Sequence, residues 1–171
     1  NWAMINGEKK CGVSIFKINN GEVDSGTVYY QESCAIDSSD TINDVMLKVT
    51  DITIKGYLRL IDNLSMVIPF DQDESEATYT CKRSPLDGEI DWSQQSTIIY
   101  NLIRALSTPY PNAFSFYKSE KIYISKAKIG RNNEKLFTGK IIGKVIGIYA
   151  DSIEILCSKG TIEILEIRDE N

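Results

Sequence analysis

The 171-residue sequence predicts an α/β segment followed by a small β-barrel domain. Three patterns carry that prediction. Two β-forming runs flank a turn and lead into a long amphipathic helical pattern. A polar, acidic stretch containing Pro85 and Gly88 then breaks the chain. Beyond Pro111, short β-branched segments follow one another, separated by Gly, Asn, Asp and Lys.

Residues 13–18 form a short apolar run, Asn19-Asn20-Gly21 is turn chemistry, and residues 27–31 are rich in β-formers, so two strands surround a loop spanning 21–26. Residues 37–41 read as a helix entry, with Thr41 and Asp44 spaced like a capping box. Ile42, Val45, Met46, Val49, Tyr57, Leu60, Ile61 and Leu64 recur at helical spacing and predict one helix to about residue 63. Residues 69–89 read as a linker. A second helix, capped within 93–96 and facing inward through Ile99, Leu102, Ile103 and Leu106, stops at Ser107-Thr108-Pro109. Segments 113–117, 121–129, 140–149, 152–157 and 161–167 give about five antiparallel strands, a tally that fits a closed or partly open barrel.

Composition narrows the function. No apolar run approaches the roughly 20 residues needed to span a bilayer, so no membrane partner is expected. The first twelve residues lack signal-peptide features, which places the expected product in the cytoplasm. Cys11, Cys34, Cys81 and Cys157 form no CxxC pair and are expected to be reduced, mostly buried thiols rather than metal ligands. There is no histidine, which removes the commonest general base and the commonest metal ligand together. A net charge of −5 opposes a general nucleic-acid surface, although Lys118, Lys121, Lys126, Lys128, Arg131, Lys135, Lys140 and Lys144 form a local basic stretch.

Two stretches resemble the methionyl-tRNA formyltransferase family and its relatives that formylate nucleotide-linked amino sugars. The more specific is composite: Ala77-Thr78-Tyr79, Lys82-Arg83-Ser84-Pro85-Leu86-Asp87-Gly88, Ile90-Asp91-Trp92-Ser93, Tyr100-Asn101-Leu102-Ile103-Arg104-Ala105 and Pro109-Tyr110-Pro111-Asn112-Ala113-Phe114, in that order. The other runs from Asn6-Gly7-Glu8 through Gly12-Val13-Ser14-Ile15 to Gly21-Glu22-Val23-Asp24-Ser25-Gly26. The resemblance implies a Rossmann-like catalytic remnant over residues 1–66, a linker over 67–88 and an OB-like domain over 89–171. It also implies that a loop bearing a catalytic asparagine and histidine lies upstream of the equivalent of Trp2 in family members. The chain is accordingly read as a truncated carboxyl-terminal part, completed by a missing amino-terminal half, with a homodimer as another possible assembly.

By that resemblance the chemistry is formyl transfer from 10-formyltetrahydrofolate, a co-substrate, to a primary amine. No metal is implied. The transfer needs a neutral amine, an oxyanion stabiliser and a proton acceptor. Asp24 matches the family's catalytic aspartate, and Gly21 and Val23 match positions bordering the folate pterin. Arg83, Pro85 and Asp87 lie where the linker approaches the acceptor. Without the resemblance, Asp24 before Ser25-Gly26 is ordinary turn chemistry, and 83–87 is a solvated loop. The linker wording and the absence of a Pro-Gly-Lys-Lys type of tail favour an amino-sugar nucleotide over initiator methionyl-tRNA as acceptor. A catalytically inactive binding fragment built on the barrel is the reading from outside enzymology.

Overall fold

A computed structural model describes residues 1–19 and 23–169. The chain divides into two compact units. A hairpin unit comprises Lys9–Ser39 and Asp44–Cys81, and a sheet unit comprises Asn1–Glu8, Asp40–Asn43 and Lys82–Asn171.

In the hairpin unit, β1 (Lys10–Phe16) pairs antiparallel with β2 (Val28–Ala35), placing Cys11 opposite Cys34, Val13 opposite Glu32 and Ile15 opposite Tyr30. β1 reaches three residues and β2 four residues further from the turn than the apolar runs indicate, because β1 begins in the polar Lys10 and β2 ends through the polar Glu32-Ser33. Ladder hydrogen bonds hold these residues where side-chain hydrophobicity gives no signal. A register shift at Ile15/Phe16 precedes the turn. On the other edge of β2, Val28 exchanges both backbone hydrogen bonds with Phe70, at 2.8 and 3.0 Å.

The long helix, α2 (Ile42–Asn63), starts and stops where its pattern predicts. Within the hairpin unit its buried stripe is Val45, Ile52 and Gly56. Four of the apolar residues expected on the inner face, Met46, Tyr57, Ile61 and Leu64, are instead exposed. The helix carries two apolar faces, and a count of helical spacings does not say which one meets the sheet. Gly56 decides it. A Cβ there would stand 2.6 Å from the Tyr30 ring and 2.8 Å from Ile15, so the glycine lets the helix approach the strands.

The sheet unit opens with a short helix that the sequence reading does not include, α1 (Trp2–Ile5), packed on α3 (Ser96–Ala105). Then follow β3 (Ala113–Tyr117), β4 (Glu120–Ile129), β5 (Val145–Ile148), β6 (Ile153–Leu156) and β7 (Thr161–Arg168). All pairings are antiparallel, in the spatial order β3-β4-β7-β6-β5. Ile99, Ile103, Leu106, Ala113, Ile124, Ile155, Cys157, Ile162 and Ile164 form the core between α3 and the sheet.

Five strands are present as expected, but no closed barrel forms among the described residues: β3 and β5 are the two edges of an open sheet. The strand expected over 140–149 begins only at Val145. Gly143 takes a φ of +78° just before it, yet hydrogen bonding to β6 already begins there: the Gly143 N–H donates to the Leu156 carbonyl at 2.9 Å and the Leu156 N–H to the Lys144 carbonyl at 3.0 Å. Only Cys157 of the four cysteines is buried. Cys11 and Cys34 are half-buried and Cys81 is exposed.

Candidate functional site

The turn between β1 and β2 presents Asp24 with a positive φ of 56°, a left-handed conformation that Asp tolerates better than most residues. Gly26 lies against the chain so closely that a Cβ would stand 1.9 Å from the Lys17 carbonyl. Only glycine fits there. The turn is fastened from a distance: the Gln72 side-chain amide donates to the carbonyls of Asp24 at 3.1 Å and Gly26 at 2.9 Å. Beside it, the Thr27 hydroxyl donates to Asp71 at 2.9 Å. These bonds leave the exposed Asp24 side chain on a constrained backbone, next to Val23, whose side chain is 91% exposed. Gly21 lies outside the described residues.

Arg83, Pro85 and Asp87 come together in the sheet unit, on a single 3-10 turn over Pro85–Gly88. Pro85 opens the turn, and the Asp87 carboxylate accepts from the Ser84 backbone N–H at 2.5 Å and the Ser84 hydroxyl at 3.0 Å. Those two bonds, the backbone one foremost, hold the Asp87 carboxyl below the usual carboxylate range. Arg83 donates to the Asp87 carbonyl, and its guanidinium lies 5.5 Å from the centre of the Trp2 ring. A cavity of about 170 Å³ is lined by Arg83, Ser84, Pro85, Tyr110, Pro111 and Asn112 among others. The Asn112 side-chain oxygen is buried and accepts no hydrogen bond. The arrangement offers a planar cation, apolar walls and an unmet acceptor.

Two further carboxylates, Glu154 and Glu163, are fully buried and face each other across β6 and β7. Glu163 is neutralised by Arg131, which bonds both its oxygens at 2.9 and 3.0 Å, and by Lys128 at 3.1 Å. The Arg131 bonds are the main reason its carboxyl is pulled down to about 2. Glu154 has only neutral donors: Thr161, Tyr149 and both nitrogens of Asn132, at 2.6 to 2.7 Å. Burial works to raise its pKa, and these bonds outweigh burial and lower it. With their oxygens so occupied, the two carboxylates tie the 131–133 loop to the sheet. Both stand on strand segments buried on both faces, so their alternation with apolar residues does not mark them as surface groups.

Gln72, Asn112 and Trp2 are the residues that sequence reasoning missed. Gln72 stands in a stretch that reads as linker, and nothing local marks it. Trp92 packs in the sheet unit and donates its indole N–H to Ser115 at 3.0 Å. Among the described residues no group of three or more His, Cys, Asp or Glu is placed to hold a metal ion, and no helix is long and apolar enough to cross a membrane.

Residues 82–171 match the family model of the formyl transferase C-terminal domain, and residues 1–61 match that of formyl transferase. The chain belongs to the formyl transferase family. This formyl transferase chain is 36% identical over 170 residues to the bifunctional polymyxin resistance protein ArnA of Wigglesworthia glossinidia brevipalpis, covering 96% of the chain and 24% of that protein. Among solved structures, HypX from Aquifex aeolicus matches with a TM-score of 0.73 at 20% identity, over 99% of this chain and 29% of that one. WlaRD, a sugar 3N-formyl transferase solved in the presence of dTDP and 5-N-formyl-THF, matches with a TM-score of 0.71 at 20% identity, over 96% of this chain and 57% of that one. At such identities the likeness is one of fold. The chain spans about a quarter of the length of the curated relative.

Proposed function

We propose that this chain is the carboxyl-terminal part of a folate-dependent N-formyltransferase that moves the formyl group of 10-formyltetrahydrofolate to the amine of a nucleotide-linked amino sugar. The observation that carries the reading is the constrained Asp24 turn inside a sequence that matches the family models over residues 1–61 and 82–171. In this reading the amine nitrogen attacks the formyl carbon, the Asp24 carboxylate takes up the proton leaving the amine, and the bond from that carbon to N10 of the folate breaks as N10 gains a proton. The family's asparagine and histidine, upstream of Trp2, stabilise the oxyanion. Gly21 and the exposed Val23 border the pterin in the same reading. Arg83 and Pro85 form the acceptor-facing wall, with Asp87 shaping their turn through its bonds to Ser84.

An amino-sugar nucleotide is favoured over methionyl-tRNA because the basic stretch is largely committed within the protein. Arg131 and Lys128 bond Glu163, Lys121 lies 4.0 Å from the Phe114 ring centre, Lys118 lies over Tyr117, and Lys140 donates to the Ser158 carbonyl. Lysines so engaged make a poor continuous phosphate track. The matching sugar 3N-formyl transferase supports the same choice. Residues 89–171, which make up most of the sheet unit, serve in this reading as the OB-like domain, joined through 67–88 to the catalytic remnant of 1–66.

The test is formyl transfer from 10-formyltetrahydrofolate by this chain, with and without an added amino-terminal segment of a related formyltransferase, against an amino-sugar nucleotide and methionyl-tRNA. Transfer to the sugar only in the complemented mixture, abolished by Asp24→Asn, is the expected result. A folded complex silent toward both acceptors favours a non-catalytic binding fragment instead.

A further inference from the structure

Cys11 and Cys34 sit directly opposite each other in the β1–β2 ladder, and their sulfurs are 3.6 Å apart. Directly opposed residues of an antiparallel pair have Cα atoms about 4.5–5.5 Å apart, inside the window of about 4.4–6.8 Å that a disulfide accepts. The strands can draw close at this point because residue 12 is glycine: a Cβ there would stand 2.8 Å from the Glu32 carbonyl. Both cysteines are half-buried, so they are shielded from bulky reagents yet within reach of a small one. Neither sulfur belongs to the formyl-transfer reading.

We propose that Cys11 and Cys34 form a reversible redox pair, closing to a cross-strand disulfide in an oxidising thiol–disulfide buffer and reopening in a reducing one. The oxidant is a low-molecular-weight disulfide such as that of glutathione. One cysteine thiolate attacks a sulfur of the small disulfide, breaking its S–S bond and releasing one glutathione. The second cysteine sulfur then attacks the mixed disulfide, forming the protein S–S bond and releasing the other glutathione. Two electrons pass to the small disulfide, and the two protons leave with the released thiols. The first step is slow at neutral pH. Burial and the neighbouring Cys34 push the Cys11 thiol up to about 11, while the Lys48 ammonium acts weakly the other way. Closure rings residues 11–34, which include the whole Asp24 turn.

The experiment equilibrates the full chain in glutathione buffers of graded composition, quenches with acid, unfolds, alkylates and maps the peptides by mass spectrometry. The expected product is a Cys11–Cys34 linked peptide, half formed at a glutathione disulfide concentration about tenfold or more below that which half-modifies the exposed Cys81, since the second attack is intramolecular. In Cys34→Ser the same buffers should trap a glutathione adduct at Cys11. Separate glutathione adducts on Cys11 and Cys34 in the wild-type chain, or two unmodified thiols in buffers that modify Cys81, would overturn the proposal. Scrambled linkage to Cys81 would do the same.

Discussion

Gln72 holds Asp24 by its backbone: one amide nitrogen, forty-eight residues downstream, donates to the carbonyls of Asp24 and Gly26. If Asp24 takes the amine proton, its position relative to the substrate depends on that tether. Gln72→Ala should lower kcat of the complemented enzyme by about tenfold, with KM less affected, because misplacing a reacting group is costly even when its chemistry is intact. An unchanged kcat in steady-state kinetics would mean that the turn keeps its shape without Gln72.

Glu163 makes the sheet unit sensitive to acid in a definite direction. Its carboxyl titrates at about 2 in the folded protein against an ordinary value of 4.5. A depressed pKa contributes stability that is fully present above the ordinary value and is lost as pH falls toward the folded one. Glu163→Gln keeps the shape and removes the charge, leaving the half-exposed Lys128 and Arg131 without it. The loss should be about 2 kcal/mol at pH 7, the scale of hydrogen bonds to a charged group. Thermal melts of both proteins across pH 2 to 7 check the sign: the gap should narrow below about pH 4.5.

Gly56→Ala should destabilise the hairpin unit although alanine favours helices. The helix gains about 1 kcal/mol, but the new methyl falls within 3 Å of both the buried Tyr30 ring and Ile15, and overpacking of this kind costs about 1–3 kcal/mol. A lower midpoint in urea unfolding is the expected outcome. A gain would show that the ring moves freely.

Leu47, Ile54, Leu58 and Ile61 stand 53–76% exposed along one side of α2. An apolar stripe of this kind invites association. Leu58→Lys with Ile61→Lys should weaken binding of a hydrophobic fluorescent dye and reduce self-association in sedimentation, with little change in helix content by circular dichroism.

Most of the element order was legible in the sequence because it rests on local periodicity: α2, α3 and the five late strands fall where apolar spacing places them. What escaped was tertiary. Which face of α2 is buried depends on Gly56 meeting Tyr30, and whether the sheet's two edges, β3 and β5, meet is a long-range pairing that local spacing does not encode. Asp24, Arg83, Pro85 and Asp87 were read from family-like wording. The groups around them, Gln72 and Asn112, come from distant or unpatterned positions that no local rule reaches. Helix α1 was missed because four residues are too few to show a period.

That four-residue helix has a consequence for the order in which the chain takes shape. Its partner, α3, begins at Ser96. At a synthesis rate of about 5–20 residues per second, α1 waits about 5–20 seconds for the surface it covers. Met4, only 1% exposed at the end, has no shelter during that interval. Most of the residues that leave the ribosome between them belong to the other unit. The sheet unit thus closes late, around a piece of chain made well before its strands.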